Sequence, residues 1–360
     1  MGGSANALVW LTLGASPVRA AELQDQWEAY GRVYISGEGR VIDFRQQGVT
    51  TSEGQSYAMI RALWMNDQPA FDRVWAWTVA NLQGGDPAQL PAWRWGQRED
   101  GEWGVLDAQP AADADQLLLW SLLGAGRRWK DEAYRADAAG LLERFWTEEV
   151  AEVGGRLVVL PGPWARGADP VLVNPSYFLP FIWRDLARWD ASRPWRRLLD
   201  DGYELLAECR GQTGLAAEWC SLDATTGQRV ASANPAHDNF GFEALRVPWT
   251  LAAEVKWHRE PRARRLLVPY LDLLESGSEL HLPAVVGPDG KGRVEWEYPG
   301  MYGALLPAWG LRRPALARRV LAEKLEPIRA EHGWGDVDDY YGQNWIWFGL
   351  ALWQLKERPV

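Results

Sequence analysis

Residues 52–83 read SEGQSYAMIRALWMNDQPAFDRVWAWTVANLQ. In the second half, Phe71, Val74, Trp75, Thr78, Val79 and Leu82 fall on one stripe at helical spacing. That pattern predicts a helix over 69–83, opened by Asp67-Gln68-Pro69 with proline in its first turn. The first half predicts a helix over 52–66, so one or two residues join the pair, and so short a link makes the helices antiparallel neighbours. The same reading extended outward gives helices at 22–34, 113–128, 130–148, 174–190, 192–210, 236–257, 259–276, 298–310, 313–328 and 340–356. Short links recur within five consecutive pairs. Long segments lie between them, at 35–51, 84–112, 149–173, 211–235, 277–297 and 329–339. All the long segments then emerge at one end. The expected fold is all-α, a toroid of six helix pairs or (α/α)6 barrel, with a recurrence of roughly 60 residues. An α-solenoid is the alternative, but its repeats are shorter and more uniform.

The chain has 360 residues and a net charge of -10, from 38 Lys+Arg and 48 Asp+Glu. An acidic balance argues against nucleic acid as the main partner. Tryptophan is in excess, 24 against 8 Phe and 11 Tyr. Part of that excess is expected to pack a helical core, and part to present flat faces to a ligand. Trp93, Trp95, Trp103, Trp164, Trp219, Trp296 and Trp334 lie in the long loops. No run is long and apolar enough to span a bilayer. The segment Ala7–Ala15 with small residues up to Ala20-Ala21 reads as a secretory leader cleaved after Ala20, although no Lys or Arg precedes it. A leader over 1–20, one catalytic domain over 21–360 and a secreted or periplasmic location are therefore expected. Cys209 and Cys220 either close a small loop or remain thiols.

Glu53, Asp113, Asp115, Asn174, Tyr177, Asp238, Glu243, Tyr302, Asp338 and Tyr341 fall at or near the starts of even-numbered helices, all at the long-loop end. Capping and the helix dipole account for single acids there. They account less well for several converging on one aromatic mouth. GxSxG and a phosphate loop are absent, and the four histidines are scattered without metal-ligand spacing, so no metal and no cofactor is expected. Paired carboxylates in a tryptophan-edged cleft suit glycoside cleavage. One carboxylic acid protonates the glycosidic oxygen, and another carboxylate activates water or attacks the sugar.

Thr51-Ser52-Glu53-Gly54-Gln55-Ser56-Tyr57-Ala58-Met59 resembles the catalytic-acid segment of glycoside hydrolase family 8. Ala111-Ala112-Asp113-Ala114-Asp115 onward, Asn174-Pro175-Ser176-Tyr177-Phe178 and the stretch from Phe240 to Trp249 are similar to three further blocks of that family. Tyr340-Tyr341-Gly342-Gln343-Asn344 resembles the last helix start of its cellulose-synthesis-associated cellulases. The resemblance implies an (α/α)6 barrel that hydrolyses β-1,4-glycans with inversion. It implies that Glu53 is the general acid, that Asp113 holds the distorted sugar, and that Tyr177 orients the attacking water. Arg246 is placed to pair with Glu243, while Asp115, Trp93, Trp103 and Tyr341 are candidate substrate contacts. A monomer acting on a polysaccharide, linked to a polysaccharide-synthesis system, is the implied setting. The chain departs from the family at Phe242-Glu243, where Tyr-Asp is usual and the Asp is the base, and at Ala112, where Ser or Thr is usual. Three readings follow: Glu243 is the base, another acid such as Asp238 or Asp223 has replaced it, or hydrolysis is lost. The expected activity is an endo-β-1,4-glucanase. Chitosanase, xylanase and a non-catalytic glycan-binding protein are the alternatives.

Overall fold

Side-chain caps set the helix starts. Thr51 Oγ1 accepts the Gly54 N–H at 3.0 Å, and Asp67 does the same for Ala70 at 3.1 Å, each satisfying a donor that the first turn leaves open. The computed structural model describes residues 17–274, 279–355 and 358. Among them are twelve α-helices: α1 (Pro17–Tyr34), α2 (Ser52–Trp64), α3 (Gln68–Leu82), α4 (Ala112–Arg128), α5 (Glu132–Arg144) and α6 (Pro180–Trp189). Then follow α7 (Trp195–Glu208), α8 (Arg246–His258), α9 (Pro261–Leu271), α10 (Pro299–Arg312), α11 (Pro314–Val320) and α12 (Tyr340–Gln354). The expected leader lies outside the described residues up to residue 16, and Pro17 opens α1.

Helices α2, α4, α6, α8, α10 and α12 pack on one another in turn, and α12 returns to α2. Outside this ring α3, α5, α7, α9 and α11 each lie on the helix before them, and α1 lies on α12. This is the expected (α/α)6 barrel. Its tightest seam is between α10 and α12, where a Cβ on Gly349 would stand 1.9 Å from the Gly303 carbonyl oxygen. Only glycine lets the two backbones approach so closely.

Two helices start later than their periodicity predicts, and both shifts matter for function. In place of a helix from 174, a single helical turn (Pro175–Tyr177) precedes α6. Leu179, before Pro180, is held out of the helical region. In place of a helix from 236, Phe240 and Val286 exchange backbone hydrogen bonds at 2.8 Å, which pulls the chain extended ahead of α8. Tyr177 and Glu243 therefore sit on turns before inner helices and not on the helices themselves. The α6–α7 link is longer than expected because the Asp190 carboxylate binds the Ser192 N–H and the Arg193 guanidinium in a local turn.

The long segments also carry strands too short to show alternation. β1 (Thr50–Thr51), β2 (Arg94–Gln97) and β3 (Trp103–Asp107) form one antiparallel sheet, and β4 (Val150–Val153) pairs with β5 (Arg156–Val159). β6 (Val171–Val173), β7 (Cys220–Leu222) and β8 (Arg229–Val230) form another sheet, and β9 (Arg329–Ala330) pairs with β10 (Gly333–Trp334). A Cys209–Cys220 disulfide ties the end of α7 to β7.

Much of the tryptophan excess lies on the barrel axis. Trp64, Trp120, Trp249, Trp257 and Trp347, with Phe181 and Phe348, pack mainly edge-to-face as an aromatic plug between the inner helices. Of the loop tryptophans, Trp334 is also buried in the core. Trp103, Trp164 and Trp296 are exposed, each by about half.

Candidate active site

Above the aromatic plug lies a cavity of ≈ 30 Å³, whose lining runs from Trp64 and Trp120 up to Asp113 and Arg246. This apolar floor supports a cluster of charged groups. Arg246, in the first turn of α8, is 5% exposed, and its guanidinium meets three carboxyl groups. Nη1 donates to Glu53 Oε2 at 2.9 Å and to Asp113 Oδ2 at 2.7 Å. Nη2 donates to Glu243 Oε2. Nε is bound to Ser176 Oγ at 3.0 Å, and the guanidinium carbon lies 5.3 Å from the centre of the Tyr177 ring.

Each acid reaches the cluster by a different route. Glu53 is in the first turn of α2, directly after the Thr51 cap, and its Oε1 accepts the Tyr340 hydroxyl at 2.8 Å. Asp113 is in the first turn of α4, where its own side chain accepts the Ala114 N–H at 2.9 Å. Glu243, on the turn before α8, also accepts the Asn174 amide at 2.9 Å and is 35% exposed. Burial pushes the Glu53 carboxyl up to about 7, with Asp113 and Glu243 adding to the rise against the pull of Arg246. Burial raises Asp113 as well. Glu53 and Asp113 crowd the same Nη1, so near neutral pH the cluster keeps a proton at Glu53. The site thus holds a carboxyl that titrates near neutral pH and a second, partly exposed carboxyl on different nitrogens of a fixed cation.

The structure brings together Glu53, Asp113, Glu243, Arg246 and Tyr177, each a candidate named from the sequence. Arg246 was expected to pair with Glu243, and it reaches Glu53 and Asp113 as well. Asp115 lies apart from this cluster. It is fully buried, as is Glu149 in the turn that follows α5, and the two carboxyls influence each other's protonation. Asp238 is engaged by Arg229, Asp223 caps its own turn through Thr225 and Thr226, and Tyr302 is buried against Glu297. None of these three joins the cluster. Trp93 backs the site through its main chain, accepting the Ser52 N–H at 3.0 Å, and its indole is committed to Asp107. Trp103 stands at the rim with the Arg40 guanidinium 4.6 Å from its ring and 4.6 Å from that of Trp95. The Tyr341 hydroxyl donates to the Phe242 carbonyl at 2.8 Å, next to Glu243. Sequence reading missed the role of Tyr340, although the residue lies in a quoted motif, and missed Glu218, for which no motif gave a signal.

Asp115 and Glu149 offer a test of this burial. Burial raises both carboxyls, so the folded protein holds a proton that the unfolded chain releases above about pH 4. Stability from this pair is therefore greatest in acid and falls as pH rises. Asp115→Asn replaces the shared proton with an amide donor. Its stability relative to wild type should improve steadily from pH 5 to pH 8 in urea unfolding; parallel curves would remove the shared proton.

An all-helical toroid with carboxyl groups gathered at one mouth has the architecture of a glycoside hydrolase. A family model for Glycosyl hydrolases family 8 matches residues 4–272, and the chain belongs to that family. It is 34% identical to an endoglucanase of Salmonella typhi over 347 residues, covering 93% of this chain and 91% of that protein. It is 39% identical to an endoglucanase of Escherichia coli (strain K12) over 241 residues, covering 66% of this chain and 64% of that protein. Among solved structures, the endo-1,4-D-glucanase from Vibrio fischeri ES114 superposes with a TM-score of 0.76 at 30% identity, covering 91% of this chain and 94% of that one.

Proposed function

We propose that this chain is an exported, inverting endo-β-1,4-glucanase whose single catalytic domain begins near residue 21. Glu53 is the general acid. It carries its proton into the reaction because burial holds it near pH 7, which suits a donor working close to neutrality. Glu243 is the general base, exposed enough to meet a water and fixed by Asn174 and Arg246. Asp113 holds the sugar at the cleavage point, and Tyr177 orients the water. The observation that carries this reading is the convergence of Glu53 and Glu243 on one buried guanidinium, with Glu53 pushed up to about 7. Export is supported by the Cys209–Cys220 disulfide, since such bonds persist in oxidising compartments.

The test is reducing-sugar release from carboxymethyl-cellulose, mixed β-glucan, chitosan and xylan by wild type and Glu243→Gln. Wild type should act most rapidly on the two glucans. Glu243→Gln should lower kcat by roughly 10²–10⁴-fold. Proton NMR of the first product should show the α-anomer. Retained binding without hydrolysis of any polymer would overturn the enzyme reading, and full activity in Glu243→Gln would remove that residue as base.

A further inference from the structure

Glu243 projects from a turn, residues 241–245, that no cap from its own segment secures, since Leu245 at the start of α8 offers no side-chain hydrogen bond. A residue 25 positions earlier supplies one. Glu218 Oε1 accepts the Glu243 N–H at 3.3 Å, and the same carboxylate is bound by the Phe242 N–H. The main chain beside Glu218 is itself anchored to the segment that leads into the turn. The Glu218 N–H donates to the Asn239 carbonyl at 2.8 Å, and the Trp219 N–H to the His237 carbonyl at 3.1 Å. The fit is close: a Cβ on Gly241 would lie 2.4 Å from Glu218 Oε1, so glycine leaves room for the carboxylate to lie against the turn. On its other side Trp219 packs 6.2 Å from Tyr177, between ring centres.

We infer that Glu218 is a positioning residue for the catalytic base: it clamps the Phe242 and Glu243 amides and thereby fixes where the Glu243 side chain begins. This rests on the proposed role of Glu243. A glutamate has one more rotatable bond than an aspartate, so the position of its backbone matters more for placing the carboxylate. A misplacement of about 1 Å costs about 10²-fold in rate. Glu218 also sets a charge behind the base. The other charged and titratable groups facing Glu243 are Arg246, Glu53, Asp113, Tyr341 and Tyr177, and none is altered by changing Glu218.

The experiment compares Glu218→Ala and Glu218→Gln on soluble carboxymethyl-cellulose. Glu218→Ala should lose about 10- to 100-fold in kcat with KM changed less than about 3-fold, as for a displaced base with an intact cleft. Glu218→Gln keeps an acceptor oxygen and should recover most of kcat. Removing the negative neighbour eases ionisation of the base, so the acid limb of its kcat/KM profile should move to lower pH. A second measurement is independent of activity. Amide hydrogen exchange at Phe242 and Glu243 should accelerate in Glu218→Ala and stay slow in Glu218→Gln. If Glu218→Ala does not fold, the limb shift and the protected amides in Glu218→Gln decide. Unchanged kcat in Glu218→Ala, unchanged exchange at the two amides, or an unmoved acid limb in Glu218→Gln would each overturn the positioning role. Full activity in Glu243→Gln would instead overturn the base assignment while the exchange result still reported on the clamp.

Discussion

Glu53→Gln is expected to lower kcat on soluble β-1,4-glucan by roughly 10²–10⁴-fold while polymer binding persists. Glutamine keeps the shape of the protonated acid: its one oxygen can accept from Arg246, and its amide can donate to the Tyr340 oxygen, the two partners that hold Glu53 in place. It cannot deliver a proton to a departing glycosidic oxygen. Because the folded-state carboxyl titrates near 7, well above the unfolded value near 4.3, wild-type kcat/KM should decline above about pH 7 as the acid empties. The residual activity of Glu53→Gln should lack that alkaline limb. Stability follows the same logic with its own sign. A raised carboxyl binds an extra proton in the folded state, so it costs stability progressively as pH rises from about 4 toward 7. Glu53→Gln should therefore match wild type in acid and exceed it above neutrality. A variant with near-normal turnover and an unchanged alkaline limb would exclude Glu53 as the acid.

Arg246→Met should have the largest effect on folding. The substitution keeps length and apolar bulk but removes the one cation that Glu53, Asp113 and Glu243 share. Desolvated carboxyls without a counter-charge are costly, and breaking a buried ion pair from one side typically costs about 3–5 kcal/mol. Some of that cost is avoided by taking up protons, so the loss should be smaller at pH 5 than at pH 8. Urea unfolding at the two pH values measures it. Activity should disappear at both, because Glu243 loses a charged anchor and Glu53 a hydrogen bond. Arg246→Lys should recover only part of the stability, since a single ammonium cannot reproduce five donors in a planar fork. An unfolding midpoint unchanged in Arg246→Met would show that the cluster is not held by this residue.

What the sequence revealed followed from the scale of each signal. Helical stripes such as the one from Phe71 to Leu82 span about three turns, so the ring of pairs could be counted from the sequence. The turns ahead of α6 and α8 could not be read in that way. Their residues continue a plausible helical stripe, and only Pro180 and the long-range bridge from Phe240 to Val286 stop it. Glu53 and Asp113 were legible because first-turn acids occur at fixed distances from a cap. Asp115, two residues beyond Asp113, shares every local feature yet turns toward Glu149, since successive helical positions face different directions. Glu218 carried no signal. Its meaning depends on a turn 25 residues away, and spacing within a segment says nothing about contacts between segments.

Ring closure has a consequence for how the protein must be assembled. Glu53 sits on α2 and its phenolic partner Tyr340 on α12, and these are neighbouring helices that meet only when the last segment folds back to the first. The hub on α8 joins acids contributed by residues 53, 113 and 243. No contiguous fragment shorter than residues 53–340 contains the site, and a nascent chain lacking α12 holds Glu53 without its Tyr340 contact. During refolding, the return of hydrolysis would therefore time the closing of the circle, well after helical signal has recovered.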